Sequence, residues 1–168
     1  MKIGILSDTH NHRRNTEHAL AVLRERGAGR LIHCGDLTTP EIVYLFAGWP
    51  VTFVRGNMDM ARADLEAAAQ QIGALPPALS REIEVGGVWI GVTHGHDHTL
   101  LTRMMMSGKY AYLCCGHTHR RQDEFRRPYS VRLINPGALG GSQPQTRSAA
   151  VLDLATGALE FIEFPELF

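Results

Sequence analysis

Lysine is nearly absent from this chain. Of its 17 basic residues, Lys2 and Lys109 are the lysines and the others are arginine. An excess of charge of either sign is also missing, because 17 acidic residues leave a formal net charge of zero. No chain-wide field therefore draws nucleic acid or an anionic membrane surface. Cysteine is scarce, with three residues (Cys34, Cys114 and Cys115) that make neither a disulfide framework nor a C-x-x-C pair. Free thiols read as small buried hydrophobes fit a reducing compartment. No apolar run approaches the ~18 residues that a membrane-spanning helix needs. The first strand begins at Met1-Lys2, which leaves no room for a signal peptide, so a cytoplasmic location is expected. Internal repeats and low-complexity segments are absent, and 44% hydrophobic with 20% charged residues argues against disorder. A length of 168 residues predicts one domain, 1–168, with a full core.

What the chain has in quantity is histidine. Nine are present, and most fall in clusters: His10 and His12, then His94, His96 and His98, then His117 and His119. Each cluster follows a short apolar run. Ile3 to Leu6 reads as a buried strand. Residues two apart on an extended chain point the same way, so Asp8 and His10 leave its end aimed together. Asp-x-His alone is a weak signal, and four later stretches supply matching groups.

Thr16, Ala19, Leu20 and Leu23 recur at helical spacing, and Gly27 supplies a stop. Leu31-Ile32 is a second short strand ending in His33-Cys34-Gly35-Asp36. Thr39-Pro40 reads as a helix start with a capping hydroxyl and proline at the first helical position, and Gly48 ends that helix. Val51 to Val54 is a third strand, ending in Gly56-Asn57-Met58-Asp59. Ala61, Leu65, Ala68 and Ile72 mark a helix closed by Gly73. This alternation predicts a parallel sheet with crossover helices and its ligands at the strand ends. Arg81 to Val85 and Val88 to Thr93 form a hairpin around Gly86-Gly87 that ends in His94-Gly95-His96. Thr99 to Ser107 is a short helix, and Tyr110 to Cys115 a strand ending in Gly116-His117-Thr118-His119. Val131 to Ile134 follows, broken by Asn135-Pro136-Gly137. Ala149 to Leu154 and Leu159 to Phe164 close the chain as a hairpin. The antiparallel turns among the later strands suggest a second sheet packed on the first.

Seven side chains thus stand at the ends of five successive strands: Asp8, His10, Asp36, Asn57, His94, His117 and His119. Two carboxylates, four imidazoles and one amide are too many donors for one ion, and suit two borderline divalent cations sharing a carboxylate. Gly35, Gly56, Gly95 and Gly116 beside them allow tight turns or close backbone approach. The order Asp-x-His, Gly-Asp, Gly-Asn-x-Asp, His-Gly-His, Gly-His-x-His resembles the calcineurin-like metallophosphoesterase superfamily, and within it the small bacterial and archaeal phosphodiesterases. Ile-His-Cys-Gly-Asp at 32–36 and Ile-Asn-Pro-Gly at 134–137 are similar to that group as well. The resemblance runs over essentially the whole chain, and five ordered motifs are far more specific than one.

That resemblance implies an α/β fold, a four-layer α/β/β/α sandwich of two mixed sheets flanked by helices. It implies a dinuclear metal-dependent phosphoesterase that hydrolyses phosphodiesters by attack of a metal-bound hydroxide. Asp8, His10, Asp36 and His119 would hold the first ion, and Asp36, Asn57, His94 and His117 the second, with Asp36 bridging. Manganese is the first expectation, while nickel, iron and zinc suit the same donors. A small phosphorylated substrate is expected, with no membrane and no nucleic-acid partner, and the group often self-associates. One position departs from the broader superfamily, where a histidine often follows the motif asparagine. Here Met58 stands there and can neither contact phosphate nor donate a proton, so either substrates with good leaving groups or recruitment of His12 or His96 as the leaving-group acid is expected. A phosphomonoesterase or nucleotide phosphatase on the same core is the rival within catalysis. Outside catalysis, the retromer subunit of this fold serves mainly as a protein-binding scaffold.

Around the seven donors, His33 reads as packing or as an outer partner of the ligands. Asp59 reads as a helix cap or an orienting group, Asn135 as a turn residue, and His98 as solvated. Met104 to Met106 read as core or interface filler. Arg13, Arg14, Arg120, Arg121, Arg126 and Arg127 either rim the site or form a solvated surface.

Overall fold

The computed structural model describes residues 1–142 and 146–165. Ten strands and four helices alternate along it. The first half runs β1 (Lys2–Leu6), α1 (Arg13–Glu25), β2 (Ala28–His33), α2 (Pro40–Tyr44), β3 (Val51–Phe53) and α3 (Arg62–Gln71). The second runs β4 (Ser80–Val85), β5 (Val88–Thr93), α4 (His98–Met106), β6 (Tyr112–Cys114), β7 (Gln122–Arg126), β8 (Val131–Asn135), β9 (Arg147–Asp153) and β10 (Leu159–Phe164). Two five-stranded mixed sheets result, ordered β10-β9-β1-β2-β3 and β4-β5-β6-β8-β7.

Three apolar clusters make the layers. Leu6, Leu23, Leu31, Phe46, Phe53 and Leu65 lie between the first sheet and helices α1 to α3. Ile3, Ile5, Ile32, Ile90, Val92, Cys114 and Ile134 lie between the two sheets. Leu100, Met104, Leu113 and Leu133 lie between the second sheet and α4. Alternation along β1 explains the partition, with Ile3 and Ile5 on one face and Leu6 on the other, none of them exposed. Each such side chain contributes roughly 1.5–3 kcal/mol on burial. The four-layer α/β sandwich expected from the motifs is the fold observed.

Three expectations change. The C-terminal hairpin belongs to the first sheet, not the second: β9 pairs antiparallel with β1, Ile3 opposite Leu152. The middle of the second sheet is parallel, β5 with β6 and β6 with β8. The Thr39 hydroxyl does not cap α2; it donates instead to Asn11 Oδ1 at 2.9 Å. β7 is a strand that sequence periodicity did not reveal. The parallel order β1-β2-β3 sets three strand ends side by side, and β5-β6 sets two more. Those five ends carry the predicted motifs.

Candidate metal centre

The loops after β1 and β2 are clasped together by their main chains. Asp8 N–H donates to Gly35 O at 2.9 Å and His10 N–H to Asp36 O at 3.0 Å. The loops after β5 and β6 are joined likewise, Gly116 N–H donating to His94 O at 2.9 Å. Backbone conformation here is costly. Asp8, His10, Asp36, His117 and His119 all have positive φ, between 42° and 66°. Such left-handed residues cost of order 1–3 kcal/mol each and persist where the surroundings dictate them. Two glycines permit the close approach: a Cβ at Gly56 would lie 2.0 Å from Asp36 Oδ1, and one at Gly116 would lie 1.9 Å from Ser7 Oγ.

The side chains converge on Asp8 Oδ1, a fully buried atom without a hydrogen-bond partner. Around it stand His119 Nε2 at 3.2 Å, His10 Nε2 at 3.8 Å and His94 Nε2 at 3.9 Å. Asp36 Oδ2 lies 3.6 Å from His10 Nε2 and 3.4 Å from His94 Nε2, facing both. Its other oxygen accepts Met58 N–H at 2.8 Å, which fixes the carboxylate's rotation. Asn57 Oδ1 is 3.1 Å from His94 Nε2. Two groups emerge with donor atoms close enough for one ion each: Asp8, His10 and His119, and Asp8, Asp36 and His94. His117 is not among them; its ring stands against that of His94, centroids 5.3 Å apart. His96 borders the same pair, its ring 5.3 Å from His94 and 6.1 Å from His117.

The electrostatics favour a cation. Two buried carboxylates side by side demand positive charge. The His94 ring stands against both, and its charged form is favoured there. Burial works against its charged form, but the contact with Asp36 and the charges of Asp8 and Asp36 outweigh that and raise its pKa. Burial likewise pushes Asp36 up, and its contact with His94 more than reverses this, holding the carboxyl below the usual range. His94 Nδ1 lies 2.7 Å from Cys34 O, so it is the protonated nitrogen and leaves Nε2 for the centre. A metal ion at Nε2 would replace the proton there. The donor set therefore fits divalent cations of the borderline class.

Outer groups hold this arrangement. The Asp59 carboxylate accepts N–H bonds from Asp36 at 3.0 Å, Thr38 at 2.7 Å and Gly56 at 2.7 Å. It orients neighbours and does not cap α3, whose N-cap is Ala61. His33 is fully buried; its Nδ1 accepts Gly35 N–H at 3.2 Å, and its Nε2 lies 3.3 Å from Thr9 Oγ1. Burial drives its pKa down to about 3, so the ring is neutral. Asn135 pins the last loop, its Nδ2 donating to Gly116 O at 2.7 Å and its Oδ1 accepting Gly137 N–H at 3.0 Å. His12 sits beside Asn15 at the start of α1, and His98 is exposed on α4. Arg13, Arg126 and Arg121 pair with Glu17, Glu124 and Glu163, as a solvated surface would. One buried charge near these loops escaped sequence reasoning: Arg147, at the start of β9, which donates to Gly140 O and Gly141 O.

Known proteins are similar to this chain in sequence and fold. A phosphodiesterase of the archaeon Methanocaldococcus jannaschii is 30% identical over 158 residues, covering 91% of this chain and 93% of that one. A solved archaeal phosphodiesterase superposes with a TM-score of 0.87 at 29% identity, over 98% of this chain and all of that one. Vps29 of Entamoeba histolytica, solved with zinc, shares the fold at 17% identity and a TM-score of 0.66, over 98% of each chain. The family description "calcineurin-like phosphoesterase superfamily domain" matches residues 1–157. Matched over nearly its full length, this chain belongs to the calcineurin-like phosphoesterase superfamily.

Proposed function

We propose that this chain is a dinuclear, metal-dependent phosphodiesterase, acting on a small phosphorylated substrate as a single domain, and that its residues divide as follows. Asp8, His10, Asp36 and His119 hold one ion; Asp36, Asn57, His94 and His117 hold the other. The observation that carries the reading is Asp8 Oδ1, buried, without a hydrogen-bond partner and ringed by three imidazole nitrogens. When bound, two divalent cations supply Lewis acidity, bringing a water's pKa near neutral and offsetting charge on the phosphoryl oxygens.

The protein's part is preorganisation. Met58 N–H turns Asp36 so that one oxygen faces both His10 and His94. Cys34 O fixes the His94 tautomer and leaves its Nε2 lone pair inward. Asp59 binds three N–H groups of the loops that carry Asp36 and Asn57, so those loops need not rearrange during reaction. His96, half-buried with Nδ1 unpartnered, stands beside His94 and His117, and is assigned to protonate the leaving group in place of the histidine that Met58 replaces. Manganese is the preferred metal, with nickel, iron and zinc as alternatives for the same donors. Three free buried thiols suit a reducing, cytoplasmic setting.

The test is hydrolysis of a chromogenic phosphodiester with added Mn²⁺, alongside monoesters and nucleotides. Activity that Asp36→Asn abolishes supports the reading, and preference for monoesters shifts it to a phosphomonoesterase. A metal-loaded protein inert toward all of them overturns it in favour of a binding scaffold. His96→Ala should reduce kcat on a diester with a poor leaving group far more than on one with a good leaving group. Equal effects on both would remove the acid role.

A further inference from the structure

We propose that Arg147 is a positioning residue for the His10–His119 half of the centre, acting through the glycine strip at 140 and 141. This deepens the metal reading above and rests on it. Arg147 is 2% exposed at the start of β9. Its guanidinium donates to two consecutive carbonyls, Gly140 O and, at 2.7 Å, Gly141 O. Five donors in a rigid planar fork suit such a double hold, which a single ammonium cannot copy.

The strip so held is pressed against the site. Leu139 N–H donates to Ser7 O at 3.2 Å and Gly140 N–H to Asp8 O at 2.8 Å, so it runs alongside the segment that delivers Asp8. Asn15 Nδ2 adds a bond to Leu139 O at 2.8 Å. No side chain fits between: a Cβ at Gly140 would lie 2.0 Å from Thr9 O. A Cβ at Gly141, where φ is +91°, would lie 3.0 Å from His119 Cε1 and 3.4 Å from His10 Cδ2. The bare main chain at Gly141 is therefore the wall behind both rings. His10 Nε2 and His119 Nε2 face each other at 3.2 Å, so rotation of either ring changes one ion's donor set. His94 is held elsewhere, its Nδ1 at Cys34 O. Arg147 thus acts on one half of the centre and spares the other.

The experiment combines Zn²⁺ titration calorimetry with imidazole NMR of metal-free protein, for wild type, Arg147→Gln, Arg147→Lys and Gly141→Ala. Arg132→Gln, whose guanidinium bonds Asp123 and Gly157 O and none of the strip carbonyls, is the control. We expect Arg147→Gln to weaken one of two Zn²⁺ sites at least tenfold and leave the other unchanged, with Arg147→Lys intermediate. Ring resonances of His10 and His119 should shift in metal-free protein while those of His94 stay. Gly141→Ala keeps Arg147 and should give the same pattern, which holds the proposal testable if Arg147→Gln fails to fold. Equal weakening of both sites, or unmoved His10 and His119 resonances in folded Gly141→Ala, would overturn it. Wild type that takes no Zn²⁺ would instead defeat the metal reading, with the ring resonances still deciding the positioning role.

Discussion

His33 is a fully buried neutral imidazole whose pKa burial has driven from 6.5 to about 3. An unfolded chain would protonate the same ring near its ordinary value. Between about pH 6.5 and 3 the unfolded state therefore binds one more proton than the folded state, and stability falls as pH falls, by about 1.4 kcal/mol per pH unit. Above pH 6.5 both states are neutral and the contribution is flat. His33→Gln, which keeps a donor and an acceptor, should remove this acid limb. Urea denaturation of metal-free protein at pH 7 and pH 5 measures it; an equal stability difference between the two proteins at both values would contradict the assignment. Asp59 offers a harsher test, because Asp59→Ala strands three N–H groups, two of them buried. Each lost partner costs about 1–3 kcal/mol, so Asp59→Ala should lower stability by several kcal/mol and weaken metal binding, both measurable by denaturation and titration. At this scale the candidate donors were legible because their motifs follow successive strands, although Asp8 and His10 sit beyond β1 on left-handed backbone and not on the extended chain expected. Asp59 was legible as a cap or an orienting group, of which the second holds, and Asn135 as a turn residue. The positive φ of Asp8, His10, Asp36, His117 and His119 was not, since the enrichment of aspartate and histidine in left-handed backbone is too weak to mark any one position. Arg147 was hidden because an arginine reads as surface until the fold buries it.

Elements were readable where an apolar face had to be covered and obscure where none did. β1, β2 and β5 announce themselves as apolar runs. β7 reads Gln-Asp-Glu-Phe-Arg, an edge strand whose one large apolar side chain, Phe125, is 57% exposed, so it carries no alternating pattern. The closing hairpin was visible as two strands around a turn, but local pattern does not say which sheet a strand joins. That choice comes from long-range packing. Phe164 of β10 is 4% exposed within the cluster under α1, and its ring meets His18 edge-on at 5.3 Å. Phe164→Ala should therefore destabilise the protein by about 3 kcal/mol through the cavity it leaves. Metal stoichiometry should stay at the wild-type value, because β10 carries none of the proposed ligands. Chemical denaturation with elemental analysis of the folded variant checks both halves; lost metal would mean that the hairpin supports the centre more directly than its place in the sheet indicates.

The whole molecule is two sheets that meet through one apolar layer, and the proposed ligands are drawn from both. Asp8, His10, Asp36 and Asn57 follow strands of the first sheet, while His94, His117 and His119 follow strands of the second. An ion held by Asp8, His10 and His119, or by Asp8, Asp36 and His94, therefore ties one sheet to the other across the end of the sandwich. Metal binding and sheet docking are then one linked equilibrium. A ligand bound only by the folded state stabilises it by about 4 kcal/mol when present at a thousand times its Kd. For a domain of this size, 1 kcal/mol moves Tm by roughly 2–4 °C, so saturating Mn²⁺ should raise Tm by about 8–16 °C over chelator-treated protein. The buried carboxylates sharpen the effect, since without a cation Asp8 and Asp36 stay close together beside the His10 and His94 rings. The gain should shrink as pH falls, because that raised His94 pKa makes protons compete with metal for Nε2. Amide exchange should accelerate on chelation at the ends of β1, β2, β5 and β6 together, and not along β7, which carries no ligand. Calorimetry with and without chelator at two pH values, followed by hydrogen exchange, measures all three effects. Exchange that quickened in one sheet alone would mean that the ions belong to that sheet and do not join the pair.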